Sequence, residues 1–373
     1  MFLEPSKPDE KGKLDLKIKQ LEHWDTTDGK PVIISGPCSA ENEKQLINTA
    51  KEICRLGIVD IFRAGIWKPR TRPSSFEGVG KKGLLWLKRV KEITGMPVAT
   101  EVANAGHVES CLKYNVDVLW VGARTTANPF SVSEIANALK GVDIPVMVKN
   151  PVNPDLQLWI GALERINYAG IKKLLAIHRG FSSSNKTLFR NTPKWEIPIE
   201  LKTLCPDLKI ICDPSHITGN RELIPIVAQK ALDLDMSGLM IECHINPENA
   251  LSDAKQQVTA RDLTQILNGL IIRRSTFAND RFKGKMDQYR NTIDDLDEKI
   301  IHMIATRMEV TDKIGQYKRN NDVTILQANR WNEVLNKCVN TGDVIGLNKN
   351  FLGNILQLIH EESINRQNTI MNN

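Results

Sequence analysis

The chain has 373 residues and a formal charge of +6, with 41% hydrophobic and 25% charged residues. This composition excludes a disordered or collagen-like chain and allows one large domain plus a smaller one. Its cysteines, at 38, 54, 111, 205, 212, 243 and 338, form no Cys-x-x-Cys pair, and neither a disulfide framework nor a zinc ribbon is expected. No apolar run approaches membrane-spanning length, and the opening MFLEPSKPDEKGK is charged where a secretion signal would be apolar, so no membrane association and a cytoplasmic location are expected.

In chain order, short apolar β-branched runs fall at 31–35, 59–62, 97–100, 118–121, 145–148, 173–177, 209–212 and 238–241. Helical patterns lie between them, including 43–56, 84–93, 131–139, 156–168 and 221–234. Strands alternating with helices imply parallel βαβ units, and this number of repeats predicts an α/β fold, a closed (β/α)8 TIM barrel. An open doubly wound sheet is the alternative. The glycine-rich GVGKKG at 78–83 follows a polar loop and not a strand, so it is read as a substrate-covering loop and not a dinucleotide site.

Each predicted strand is followed by polar groups: Cys38; Arg63, Lys68 and Arg70; Glu101; Arg124; Lys149; His178 and Arg179; Asp213 and His216; Glu242 and His244. In a barrel these ends converge on one mouth, where such folds place their chemistry. The cations gathered there need anions to offset their mutual repulsion, and arginine's planar fork fits phosphates and carboxylates. Mild, dispersed positive charge suits small anions and does not suggest a nucleic-acid partner. Cys38, His216, Glu242 and Asp253 offer one soft, one borderline and two hard ligand groups, a mixture suited to a divalent transition ion such as Mn2+, Fe2+, Co2+ or Zn2+. Spacing alone does not join them, and an inert buried thiol is the plainer reading of Cys38.

The motifs GPCSAE (36–41), FRAG (62–65), KPRT (68–71), GART (122–125), KNP (149–151), HRGF (178–181), DPSH (213–216), IECH (241–244) and ALSD (250–253) together resemble 3-deoxy-D-arabino-heptulosonate 7-phosphate synthases of the compact β-type subclass. The resemblance implies a metal-dependent condensation of phosphoenolpyruvate with erythrose 4-phosphate. It assigns the metal, Mn2+ first, to Cys38, His216, Glu242 and Asp253. Phosphoenolpyruvate falls to Arg63, Lys68, Arg124, Lys149 and Arg179, with Lys68 also catalytic, and the sugar phosphate to Arg70 and Thr71. Arg72 stands where serine is frequent, and Cys243 where valine is usual. The related octulosonate-phosphate synthases lack the KPRT sequence and rank behind.

All 17 prolines occur by Pro247, so the remainder can run as uninterrupted helix. The predicted division is a barrel domain over 1–272 (core 31–272), a linker over 273–285 and a three-helix all-α domain over 286–373, its helices at 287–319, 325–340 and 347–369. At about 100° per residue from Arg307, Ile293, Leu296, Ile300, Ile304, Thr311 and Ile314 share an arc from roughly −20° to +60°, and Lys318 falls inside it. Two cations in an apolar stripe need an anionic or polar partner; snorkelling is the alternative for either alone. Arg290 lies off this arc, which a site shared with a second chain would resolve.

These features resemble the all-helical chorismate mutase class. The resemblance implies rearrangement of chorismate to prephenate, with Arg307, Lys318 and Gln367 catalytic, and with Arg290, Arg330 and Ser363 completing the substrate site of an intertwined homodimer. Gln327 replaces a usual aspartate, and Trp331 a glutamate that binds the substrate hydroxyl. The fusion predicts a bifunctional shikimate-pathway enzyme with prephenate or chorismate feedback on the barrel. Its rival is an active barrel whose helical domain only dimerises and senses ligand.

Overall fold

The structure is a computed structural model that describes residues 14–19, 30–70, 75–183, 187–273 and 280–372. The chain divides into two compact units, Met1–Ser275 and Thr276–Asn373.

The first unit is a closed barrel of parallel strands β1 (Val32–Gly36), β2 (Ile61–Arg63), β3 (Val98–Val102), β4 (Val118–Val121), β5 (Val146–Lys149), β6 (Leu174–His178), β7 (Lys209–Cys212) and β8 (Gly238–Glu242). The strands are buried almost throughout because both faces are covered, and alternate residues sort between two cores. Val32, Ile34, Ala99, Val118, Trp120, Met147, Leu175, Ile211 and Met240 fill the interior. Ile33, Phe62, Val98, Leu119, Val146 and Ala176 pack outward with the crossover helices.

Local sequence sets the helix ends. Asn42 caps Glu43–Leu56 by accepting from the Gln45 amide at 2.9 Å, and Gly57 closes that helix in the left-handed region. Thr259 and Asp262 form a capping box at the start of Ala260–Gly269.

Strand register brings the carboxyl ends to a common level: Gly36 opposes Glu242, and Lys149 opposes Ile177. Gly36 is required for this closure. Its φ is +150°, and an added Cβ would stand 2.0 Å from the Arg63 carbonyl oxygen. Gly36→Ala is therefore expected to destabilise the barrel by about 3 kcal/mol or more, read as a lower midpoint in thermal unfolding of the intact chain.

Among its described residues the second unit contains three helices, Asp280–Asn320, Ala328–Val344 and Lys349–Asn372. Its first helix begins inside the stretch read as linker, so residues 280–285 are helical; residues 274–279 lie outside the described residues. No proline interrupts these segments. The first and third helices run in the same direction, joined by Arg307–Ser363, Asp312–Arg366 and Arg319–Ile370 hydrogen bonds.

The apolar stripe of the first helix is left largely uncovered within one chain. Ile293, Leu296, Ile300 and Ile314 are 56%, 50%, 56% and 45% exposed. The unit instead buries Met308 together with polar Thr311, Lys318, Ser363 and Gln367.

Candidate functional site

At the barrel mouth, ligand-capable atoms of Cys38, His216, Glu242 and Asp253 lie within 4.8 Å of one another. Cys38 follows β1, and its amide donates to Gln257 Oε1 at 2.9 Å. His216 rides on the short helix Pro214–Thr218, which Asp213 caps by accepting from the His216 amide. Proline at the first helical position needs no amide partner, so the Asp-Pro-Ser-His sequence builds this turn locally. Asp213 Oδ2 also lies 2.8 Å from His216 Nδ1, which turns Nε2 toward Glu242 Oε1 at 3.7 Å. Glu242 ends β8; its Oε2 accepts from Gln256 at 2.7 Å, while Oε1 is buried without a hydrogen bond. Asp253 sits at φ +50°, a left-handed conformation that aspartate tolerates better than most residues.

The donor set fits a divalent transition ion. Burial pushes the Cys38 thiol up to about 12, helped by Glu242 and opposed by Lys68. The thiol lies 3.2 Å from Asp253 Oδ2 and 3.1 Å from Lys68 Nζ. Burial raises the Asp253 carboxyl, but His216 and Arg190 outweigh it and hold the group well below the usual range. A thiol and an imidazole converge with a carboxylate oxygen that makes no hydrogen bond and faces the Arg63 guanidinium at 3.4 Å, a cluster that a bound cation would complete.

The cations surround this cluster. Arg63 is buried at the end of β2, 3.4 Å from Glu242 and 4.7 Å above the Trp120 ring. Lys149, ending β5, pairs with Asp213 at 2.9 Å and lies 5.8 Å from the same ring. Arg179 donates to Asn191 at 2.8 Å; burial lowers it to about 10, with Arg190 and Arg124 adding to the effect. Arg124 is exposed after β4. Arg70 is turned to its own loop, donating to the Phe76 carbonyl at 3.0 Å. Thr71 and Arg72 lie outside the described residues.

Sequence reasoning did not single out Arg190, Gln256 or Gln257. Arg190 bridges Asp253 Oδ1 at 2.8 Å and Gln256 Oε1 at 2.9 Å, and so fixes Asp253 from outside the cluster. No periodicity marks such loop contacts; the signal available was an arginine in the polar stretch after HRGF.

In the helical unit, Arg307 is exposed and donates to Ser363 Oγ at 2.6 Å. Lys318 is 9% exposed, and its ammonium donates to the Ile325 carbonyl. Gln367 Oε1 is buried without a hydrogen-bond partner. These four residues therefore share one polar seam. Arg290 and Arg330 do not join it within one chain: they are exposed and paired with Asp287 at 3.3 Å and Glu333 at 3.2 Å.

Residues 15–272 match the model of the DAHP synthetase I family. The chain belongs to that family. Its C-terminal part, residues 289–368, matches the chorismate mutase type II model. Among relatives, the phospho-2-dehydro-3-deoxyheptonate aldolase of Thermotoga maritima is 33% identical over 226 residues, covering 61% of this chain and 64% of that one. A 2-dehydro-3-deoxyphosphooctonate aldolase of Cyanothece sp. is 30% identical over 285 residues, covering 70% of this chain and 99% of that one. The crystal structure of the Thermotoga maritima DAHP synthase superposes with a TM-score of 0.59 at 31% identity, covering 65% of this chain and 68% of that one. A DAHP synthetase I barrel is thus joined to a chorismate mutase type II domain. Among the described residues, no helix is long and apolar enough to cross a membrane.

Proposed function

We propose that the chain is a bifunctional shikimate-pathway enzyme. Its barrel condenses phosphoenolpyruvate with erythrose 4-phosphate, and its helical domain rearranges chorismate to prephenate. The observation that carries the barrel reading is the Cys38, His216, Glu242 and Asp253 cluster set among Arg63, Lys68 and Lys149 at one mouth.

In this mechanism Arg63, Lys68, Arg124, Lys149 and Arg179 hold the phosphate and carboxylate of phosphoenolpyruvate, and Arg70 and Thr71 hold the sugar phosphate. A divalent ion held by Cys38, His216, Glu242 and Asp253 supplies polarisation and orientation of the aldehyde. The enol carbon bonds to the aldehyde carbon, Lys68 gives the new alkoxide a proton, water adds at the resulting cationic centre and returns one proton to Lys68, and the C–O bond to phosphate then breaks as the keto group forms, the other proton leaving with phosphate. The fixed cations stabilise the anionic groups without reorganising. The octulosonate-phosphate reaction is the second reading for the barrel, favoured by the Cyanothece likeness. KPRT at 68–71 weighs against it. Arg190→Ala is expected to weaken Mn2+ binding about 10- to 100-fold by freeing Asp253, measured by titrating the metal-free chain.

For the helical domain, Arg307 and Arg290 of a second copy would clamp the two carboxylates, while Lys318 and Gln367 hydrogen-bond the ether oxygen; Ser363 orients Arg307, and Arg330 lines the site. A rearrangement of this kind needs compact binding and charge stabilisation only. The bare apolar stripe supports a homodimer. So does the separation of Arg290 from Arg307, roughly 25 Å along one helix. Free thiols at all seven cysteines suit a reducing compartment, which supports a cytoplasmic location. Prephenate or chorismate is proposed to bind the helical domain and lower barrel activity.

The test is a product assay on the intact chain with both substrate sets, with and without metal and prephenate. Heptulosonate phosphate and prephenate are the expected products. Octulosonate phosphate, formed when a five-carbon aldose phosphate is added as a competing acceptor, would favour the second barrel reading, and equal barrel rates with and without prephenate would remove feedback. Gln327 and Trp331 favour a helical domain that only binds ligand and dimerises; chorismate persisting in the assay would support that alternative.

A further inference from the structure

In the helical unit the Trp331 and His360 rings stack at a centroid separation of 3.9 Å and an interplanar angle of 6°. Both side chains are half-buried. His360, Ser363 and Gln367 stand at i, i+3 and i+7 on the third helix, and so share the face that meets Arg307. That face already holds one buried acceptor without a partner, Gln367 Oε1. His360 also responds to the charges of Arg307 and Lys318 on the first helix.

We propose that His360, held flat against Trp331, is a ligand-contacting residue of this seam, placed to hydrogen-bond an anionic or hydroxyl-bearing ligand gripped by Arg307 and Lys318. The inference rests on the reading of the helical domain as a chorismate and prephenate site. Stacking removes the ring's freedom to turn, so less ordering is needed when the ligand arrives. Neither Arg307 nor Lys318 can accept a hydrogen bond, whereas a neutral imidazole both donates and accepts.

The charges around the imidazole give the contact a proton signature. Burial lowers the His360 pKa, and Arg307 and Lys318 lower it further, against a smaller opposing effect from Glu361 on its own helix. On the second helix it meets Trp331, while Arg330 and Glu333 pair with each other. A dicarboxylate neutralising Arg307 and Lys318 removes part of that depression and adds an anion nearby. The bound-state pKa of His360 must then exceed the free-state value, and binding takes up a proton between the two. Affinity accordingly rises as pH falls through the bound-state pKa and levels off below the free-state one.

The test uses the intact chain labelled with 13C at histidine Cε1, titrated from about pH 5 to about pH 8 with and without saturating prephenate. The signal missing from His360→Gln identifies the residue. It is expected to titrate about half a unit or more higher with prephenate bound. His360→Ala is expected to weaken prephenate binding about tenfold, with partial recovery in His360→Gln, which keeps a hydrogen-bonding group. An unchanged His360 titration in a chain that does bind prephenate overturns the proposal while leaving the domain's reading intact. A chain that neither binds prephenate nor consumes chorismate overturns both.

Discussion

Chelation of divalent ions is expected to abolish condensation by the barrel, and Mn2+ to restore it. Cys38→Ala should lower the rate on the order of a thousandfold at moderate metal concentration, the equivalent of several kcal/mol of lost charge stabilisation. The reason lies in the donor set. Glu242 Oε1 is buried with no hydrogen bond, and Cys38 lies against Asp253, so the site is best satisfied by a cation. The thiol, pushed up to about 12 by burial, must lose its proton when an ion binds. Metal affinity should therefore fall as pH falls, by about tenfold per unit while the thiol is the only ligand that must ionise. Cys38→Ser keeps a small polar group but not an easily formed thiolate, and should recover little. Full activity in rigorously metal-free protein would remove this reading of the cluster.

Arg307→Ala should lower chorismate turnover by about a hundredfold to a few thousandfold, as expected when the cation proposed to pair with a substrate carboxylate is truncated. Ser363 Oγ fixes the guanidinium at 2.6 Å, so the loss removes an oriented fork as well as a charge. Arg307→Lys restores the charge without the fork and should recover only part of the rate. The decay of chorismate absorbance with the intact chain measures both variants. A wild-type chain without turnover, yet with prephenate binding that Arg307→Ala abolishes, would convert the helical domain from enzyme to sensor.

The alternation of strands and helices was legible because parallel strands covered on both faces read as continuous apolar runs; the runs at 118–121 and 209–212 coincide with β4 and β7. The second strand begins later than its apolar run because Asp60 is occupied with Ile33, its amide donating to the Ile33 carbonyl and its carboxylate accepting from the Ile33 amide. Cys38, Arg63, Lys149, His216 and Glu242 could be read as converging because strand ends must meet in a barrel. Arg190, Gln256 and Gln257 could not, since they act through loop contacts far apart in sequence. In the helical unit the wheel sets Arg307 and Lys318 in one arc; Arg307 meets Ser363 Oγ, and Lys318 meets the Ile325 carbonyl. The wheel could not reveal that Met308 would be buried among polar groups while Ile293 and Ile300 stayed bare, because a helical wheel does not say which face another chain covers.

That inside-out arrangement ties folding of the helical segment to mass action. If its greasy ridge is shielded only by another molecule, dilution loosens the segment itself along with any complex, and its melting temperature climbs with protein concentration. The barrel's strands, by contrast, close on one another within a single chain.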